Sequence, residues 1–340
     1  METAMMDMSG RSFLTLLDFS EEEIHYLIDL SQELKEKKKD GRSHRYLEGQ
    51  TIALIFEKPS MSARFAHIAA CVEVGAHPAY FGKGDLDFGK NESVHDTAKV
   101  LGKMFDGILF YGCKQKTVED IAAHAGIPVW NGMTDKYYPS QMIADFLTIK
   151  ENVGHLKGVR LVYAGDGGSN VASSLLIGGA KVGMDIRICS PEELHPNKEI
   201  ITNAEEISKS TSAKIMVTSS VEEAVDGADA IYTDAWIAAG GEEHFGERIH
   251  LLQPYQVNEQ MLELTGNKNI LFLHCLPSFH DLSTEMGRQV HEKYGIKEME
   301  VTDGVFQSRN SIVFDQAENR LHTMKAMMVA ANGMGRKKGE

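Results

Sequence analysis

The chain has 340 residues, 42% of them apolar and 25% charged, and a formal net charge of -14. That length exceeds what one hydrophobic core usually serves, so two domains are expected, and the composition is that of an ordinary globular protein. The acidic balance argues against nucleic acid or an anionic membrane as a main partner, since both call for a basic surface, but it leaves room for a small anionic substrate held by a local cluster. Cys71, Cys113, Cys189 and Cys275 share no close spacing and read as the reduced thiols of a cytoplasmic protein. The N-terminus lacks a basic segment followed by an apolar run, and no stretch approaches the ~18 apolar residues of a membrane span.

In chain order, Ser20 and Glu23 form a capping box, and Ile24, Leu27, Ile28 and Leu34 follow at helical spacing. The lysine-rich run 35–39 reads as the solvated end of that helix. Strands and helices then alternate. Strands are predicted over 51–56, 78–81, 108–111 and 128–130, with helices over 61–74, 93–105, 118–124 and 139–153. A second series has strands over 159–164, 185–189, 214–218, 230–233 and 270–274 with helical segments between most of them, and a last helix over 317–331. Apolar strands alternating with amphipathic helices predict an α/β fold of two doubly wound parallel sheets. The boundary is expected near residue 150, giving domains 1–150 and 151–316, with the C-terminal helix 317–335 packed back on the first. No internal repeat is present.

Ligands of such sheets bind beyond the carboxyl ends of the strands, so the loops 57–60, 112–116, 131–138, 165–170, 234–241 and 274–280 are the ones that matter. Lys58-Pro59-Ser60, between a strand and a helix, suits an anion, but taken alone it reads more simply as an N-cap. The Gly165–Asn170 segment lacks the third glycine of a dinucleotide fingerprint, because Asn170 stands there. Ser190, not an acid, ends the following strand, so no nicotinamide cofactor is expected. His274-Cys275 has no second His or Cys at ligand spacing, so no metal is expected. His67 and Cys71, at i and i+4, read as packed side chains. Asp234 ends a strand, where a carboxylate either holds an amine or caps the next helix.

Several stretches in this order resemble the ornithine carbamoyltransferases of the aspartate/ornithine carbamoyltransferase family. They are Phe272-Leu273-His274-Cys275-Leu276-Pro277, Met299-Glu300-Val301-Thr302-Asp303, and the run 314–323, with 96–102 and 128–132 also close. The resemblance runs from Phe13 to about Ala331. It implies a donor domain followed by an amino-acid domain, transfer of a carbamoyl group from carbamoyl phosphate to ornithine to give citrulline and phosphate, no cofactor, and usually a homotrimer in which a neighbouring subunit lends a loop to each site.

By the same resemblance, His274, Cys275 and Arg320 are the catalytic candidates. The donor would meet Ser60, Met61, Ser62, Ala63, Tyr111, Tyr138, Gln141, Leu276 and Arg320. The amino acid would meet Asn170, Asp234, Ala238, Ala239 and Cys275. The donor side departs from the family's pattern. Its Ser-Thr-Arg-Thr-Arg is Ser60-Met61-Ser62-Ala63-Arg64, the arginine of its Arg-Gly is Tyr111, and its His-Pro-Thr-Gln is Tyr138-Pro139-Ser140-Gln141. Its mobile Ser-Met-Gly is Ala238-Ala239-Gly240, and its inserted loop carries Asp87 where a Gln is usual. Two guanidiniums that should meet a dianion are therefore missing, leaving Arg320, helix N–H groups and the lysines at 58 and 90. The expectation is a carbamoyltransferase-type enzyme with a remodelled donor pocket, working either on carbamoyl phosphate and ornithine with other groups compensating or on a changed donor or acceptor. The alternative is a non-catalytic binding or regulatory relative.

Overall fold

Ser20 opens the first long helix as its capping box predicts, accepting the Glu23 N–H while the Glu23 carboxylate takes the Ser20 N–H. The computed structural model describes residues 6–86, 88, 92–236 and 245–333. The chain divides into two compact units, Met1–Leu147 with Ala317–Glu340, and Thr148–Gln316.

The first unit runs α1 (Glu21–Lys39), β1 (Thr51–Phe56), α2 (Met61–Glu73), β2 (His77–Phe81), α3 (Val94–Met104), β3 (Gly107–Tyr111), α4 (Gln115–Ala125), β4 (Val129–Met133) and the start of α5 (Pro139–Val153). Its four strands are parallel, in the order β2-β1-β3-β4. Ala53 and Ile55 of β1, Ile108 and Phe110 of β3, and Val118 and Ile121 of α4 pack into one core. Burial on both faces explains why β1 and β3 read as unbroken apolar runs. The helix α4 starts at Gln115, earlier than the predicted 118, because the Asp135 carboxylate accepts the Gln115 N–H at 2.9 Å and caps the turn from a distant loop.

The second unit continues through β5 (Arg160–Ala164), α6 (Asn170–Lys181), β6 (Asp185–Cys189), α7 (Lys198–Thr211), β7 (Lys214–Thr218), α8 (Val221–Val225), β8 (Ala230–Thr233), α9 (Phe245–Leu252), α10 (Glu259–Leu264), β9 (Leu271–His274), α11 (Glu285–Tyr294) and α12 (Asp303–Phe306) to the start of α13 (Val313–Met328). Its five strands are parallel, in the order β7-β6-β5-β8-β9. The last helix begins at Val313, four residues before the predicted start, with Asp315 in its first turn, where the helix dipole favours an acid.

In each sheet the strand order reverses direction once, between β1 and β3 and between β5 and β8. At such a switch the following loops part and leave a crevice for a ligand. From residue 317 onward α13 belongs to the first unit. There Lys325, fully buried, donates to Glu73 Oε2 at 2.8 Å and to the Leu34 carbonyl at 3.3 Å, and Lys38 pairs with the other Glu73 oxygen. No helix among the described residues is long and apolar enough to cross a membrane.

Candidate active site

At the switch point of the first sheet, Ser60 caps the 13-residue α2, its hydroxyl accepting the Ala63 N–H at 3.4 Å. The first turn of a helix of that length presents N–H groups and a positive dipole end to an anion. A turn of about 100° per residue then sorts the side chains that follow. Ala63 is buried, while Met61 is 72% exposed and points to solvent. At that position the backbone N–H of the helix start, rather than the side chain, faces the cap.

Arg320, on α13 and 5% exposed, reaches the same place. One guanidinium nitrogen donates to Ser62 Oγ at 3.2 Å and another donates to the Tyr138 hydroxyl at 2.7 Å. Two of the residues that stand where the resemblance implies a cation or an imidazole are thus gathered by one arginine. Tyr111 ends β3, stacks on Phe56 with ring centroids 5.0 Å apart, and meets the Tyr138 ring edge-on at 6.3 Å. The two rings make a fixed aromatic wall. His67, buried on α2, has its pKa pushed down to about 3 by burial and by the nearby Arg320 charge, so its imidazole is neutral at physiological pH. Arg64, kept from the family's pattern, lies over the Tyr80 ring at 3.9 Å. In the first turn of α5, Gln141 donates through Nε2 to Asp145 at 2.8 Å, while its Oε1 is buried without a hydrogen-bond partner among the described residues. That oxygen suits an incoming N–H donor.

In the second unit, Asp234 follows β8 and Asn170 opens α6 behind the N-cap Ser169, the two flanking the switch between β5 and β8. Tyr163, inward-facing on β5, donates to Asp234 at 2.5 Å and lies 3.0 Å from the Ser169 hydroxyl. Burial pushes the Asp234 carboxyl up from 3.8 to about 7, against the lowering effect of the Tyr163 bond. Burial and the Asp234 charge together push the Tyr163 phenol well above its ordinary range, so it stays a donor. Asp166 accepts the Gly168 N–H and pairs with Arg248.

Beyond β9, His274 takes the Leu276 N–H on Nδ1 at 2.9 Å, which places the ring proton on Nε2, 3.3 Å from Glu300 Oε1. Glu300 accepts in turn from the Ser278 hydroxyl at 2.9 Å and the Phe279 N–H at 2.6 Å. Cys275 and Leu276 are half-buried on the turn so held, and Leu276 has φ +48°, a left-handed conformation that a non-glycine residue adopts at a cost. Farther on, His280 Nδ1 lies 2.8 Å from Asp303 and the ring stacks on Phe306. Ala238, Ala239, Gly240, Asp87 and Lys90 lie outside the described residues.

The sequence reading missed Tyr163, Glu300 and the position of His67 beside Arg320. Tyr163 carries a local signal, a phenol at an inward position near the carboxyl end of a central strand. Glu300 lies in a stretch that carries the resemblance, yet its link to the 274–279 turn is not local.

A family model described as the aspartate/ornithine carbamoyltransferase carbamoyl-P binding domain matches residues 11–151, and one for the Asp/Orn binding domain matches 157–331. The chain belongs to the aspartate/ornithine carbamoyltransferase family. As a member of that carbamoyltransferase family it is an enzyme, with one model falling on each of its sheets. A protein of Bacillus licheniformis named a catabolic ornithine carbamoyltransferase is 58% identical over 328 residues, 96% of this chain and 98% of the relative. One of Streptococcus agalactiae with the same name is 55% identical over 324 residues, 95% and 96% of the two chains. The solved ornithine carbamoyltransferase of Pyrococcus furiosus matches with a TM-score of 0.89 at 37% identity, over 97% of this chain and 100% of that one.

Proposed function

We propose that this carbamoyltransferase moves a carbamoyl group between carbamoyl phosphate and the δ-amine of L-ornithine. The amine nitrogen forms a bond to the carbonyl carbon as the carbonyl π pair moves to oxygen. When that pair returns, the carbon–oxygen bond to phosphate breaks, phosphate leaves with the bonding pair, and the amine gives up a proton to phosphate or solvent. Citrulline and phosphate are the products, and phosphate attacking citrulline runs the same path backwards.

The observation that carries this reading is the equipment at the two switch points, which suits one anionic and one cationic ligand. Arg320, the hydroxyls it holds and the N-terminus of α2 offer donors to the phosphate and the carbonyl oxygen. The buried Gln141 Oε1 offers an acceptor to the carbamoyl NH2. Asp234 takes the α-ammonium of the acceptor and Asn170 its carboxylate, with Cys275 and Leu276 guiding the attacking amine and the carbamoyl group. The donor pocket is remodelled in its residues, and the reading keeps carbamoyl phosphate as its ligand.

The oligomer in this reading is a homotrimer in the cytoplasm. Met61, Phe65 and Val72 form an apolar stripe on α2 that is 72%, 62% and 54% exposed in the single chain, a natural surface for another copy. The test is citrulline formation by the purified protein from carbamoyl phosphate and a panel of amines. Turnover with ornithine at roughly 1–10³ s⁻¹ supports the reading. Turnover with another amine alone, or with none, rejects it.

A further inference from the structure

We propose that Tyr163 is a positioning residue for the amino-acid substrate: its buried hydroxyl, supported by Ser169 at the start of α6, fixes the Asp234 carboxylate that receives the substrate's α-ammonium. This rests on the carbamoyl-transfer reading, which gives Asp234 its ligand, and adds what aims that carboxylate.

The direction of the hydrogen bonds is the first argument. An ionised carboxylate only accepts, so in the 2.5 Å contact the Tyr163 hydroxyl donates to Asp234 Oδ1. A phenol has one hydrogen, and that bond uses it. The Tyr163 oxygen is then the acceptor in the 3.0 Å contact with Ser169, whose hydroxyl donates. The Ser169 oxygen accepts in turn from the Ala172 N–H at 3.1 Å, as the N-cap of α6. The Ala172 N–H, the Ser169 O–H and the Tyr163 O–H thus point in series toward Asp234, and bonds in series polarise one another. The series passes the positive end of the 12-residue α6 to the Asp234 carboxylate.

Rigidity is the second. Tyr163 is fully buried on β5, opposite Ile188 of β6 on one side and Tyr232 of β8 on the other, with the Tyr232 ring 6.2 Å away. The Thr233 hydroxyl donates to the Ala164 carbonyl at 2.7 Å. That bond ties the residue before Asp234 to the residue after Tyr163, so the ends of β5 and β8 form one frame. Asp234 is thereby set relative to the start of α6, where Asn170 stands.

Charge is the third. Asp166, after β5 and itself paired with Arg248 of α9, opposes the Asp234 charge, and so does Glu300, while His274 at the end of β9 supports it. Against the two acids, the Tyr163 hydrogen bond favours the anion that an ammonium needs. The arrangement serves the α-ammonium alone, because the substrate carboxylate and the reacting δ-amine meet other groups. Losing the Tyr163 hydroxyl should therefore weaken α-amino acids and spare a ligand that has no α-ammonium.

Tyr163→Phe keeps the ring and removes the hydroxyl. The ornithine KM is expected to rise about 5–20-fold, with kcat and the KM for carbamoyl phosphate within about threefold of the unaltered enzyme. The rise of the ornithine KM on acidification is expected to begin at higher pH, because the bond that lowers the Asp234 pKa is gone while Asp166, Arg248, His274 and Glu300 stay in place. δ-Aminovalerate, which is ornithine without its α-amino group, is the control ligand, and its inhibition constant is expected to stay within about twofold. In an Asp234→Asn background, Tyr163→Phe is expected to add less than about twofold to the ornithine KM, since the two residues act as one unit. Melting curves show whether each variant is folded. If Tyr163→Phe is not, Ser169→Gly removes the supporting hydroxyl with a residue that an N-cap tolerates, and the ornithine KM is expected to rise about 2–5-fold with the same displacement in pH. The proposal is overturned if folded Tyr163→Phe, or Ser169→Gly in its place, keeps the ornithine KM within about 1.5-fold. It is also overturned if δ-aminovalerate is weakened as much as ornithine, or if Tyr163→Phe has its full effect on top of Asp234→Asn. If the unaltered enzyme forms no citrulline, the carbamoyl-transfer reading fails first and the proposal falls with it; citrulline formation with an unmoved ornithine KM overturns the proposal alone.

Discussion

In the first unit, aromatic rings and hydroxyls at strand ends and helix starts meet the buried guanidinium of Arg320 on α13. In the second, the loops around β5 and β8 bring together carboxylates, with Asp234 held by Tyr163 and Asp166 by Arg248. The same sheet geometry is thus fitted for opposite charges. Both units also meet the cost of burying charge in the same manner, by surrounding it with hydroxyl groups. Tyr138 and Ser62 accept from Arg320, and Tyr163 donates to Asp234. A neutral phenol can serve either sign, because it both accepts and donates.

The comparison breaks first at Arg320. If the guanidinium carries the donor half, Arg320→Ala removes two charge-assisted contacts, and kcat/KM should fall by about 10²–10⁴, read in a citrulline assay at saturating ornithine. A smaller loss would mean that another cation carries the donor half. The buried pair at the end of α13 separates stability from chemistry. Glu73→Ala leaves Lys325 buried without its carboxylate, and denaturant unfolding should show a loss of about 3 kcal/mol, while the KM values of the folded protein stay close to those of the unaltered enzyme.

On the acceptor side, Asp234→Asn should raise the ornithine KM by about 10–100-fold, with a much smaller effect on carbamoyl phosphate. The pH dependence gives the sign. Asp234 takes up a proton as pH falls through about 7, and the protonated acid no longer attracts an ammonium. Ornithine KM should therefore rise about tenfold per unit below pH 7 and level off above it, a dependence that Asp234→Asn abolishes. Because the raised carboxyl makes ionisation costly in the folded state, the same variant should melt higher than the unaltered protein at pH 8 when no ligand is bound.

The smallest effect lies with His67. Its folded pKa of about 3 is below the ordinary 6.5, so the unfolded chain binds the extra proton between those values. Stability should then be unaffected by this group above pH 6.5 and fall below it, by at most about 1.4 kcal/mol per pH unit. His67→Phe should flatten that slope in pH-resolved melting curves.

The sheets and most helices were legible because their signals are local: apolar runs bounded by turns, and caps such as Ser20 and Ser60. The rule that ligands sit beyond strand ends singled out the loops in which Ser60, Tyr138, Asn170 and Asp234 lie. What could not be read was who meets whom. Ser62 and Arg320 are 258 positions apart, Tyr138 and Arg320 are 182 apart, and Tyr163 and Asp234 are 71 apart. The resemblance reads Ser62 as a lost guanidinium and Tyr138 as a lost imidazole, each residue taken alone. It overlooked that one arginine polarises both. The early starts of α4 and α13 trace to Asp135 and Asp315, one acting from a distant loop and the other hidden inside a stretch read only for its resemblance.

The most direct test is calorimetric titration of carbamoyl phosphate into the unaltered protein and into folded Arg320→Ala, without acceptor. The account predicts saturable binding by the first, weakened at least about tenfold in the second. Equal affinity in the two proteins would contradict it, because the donor would then be held by cations other than the one at the end of this network.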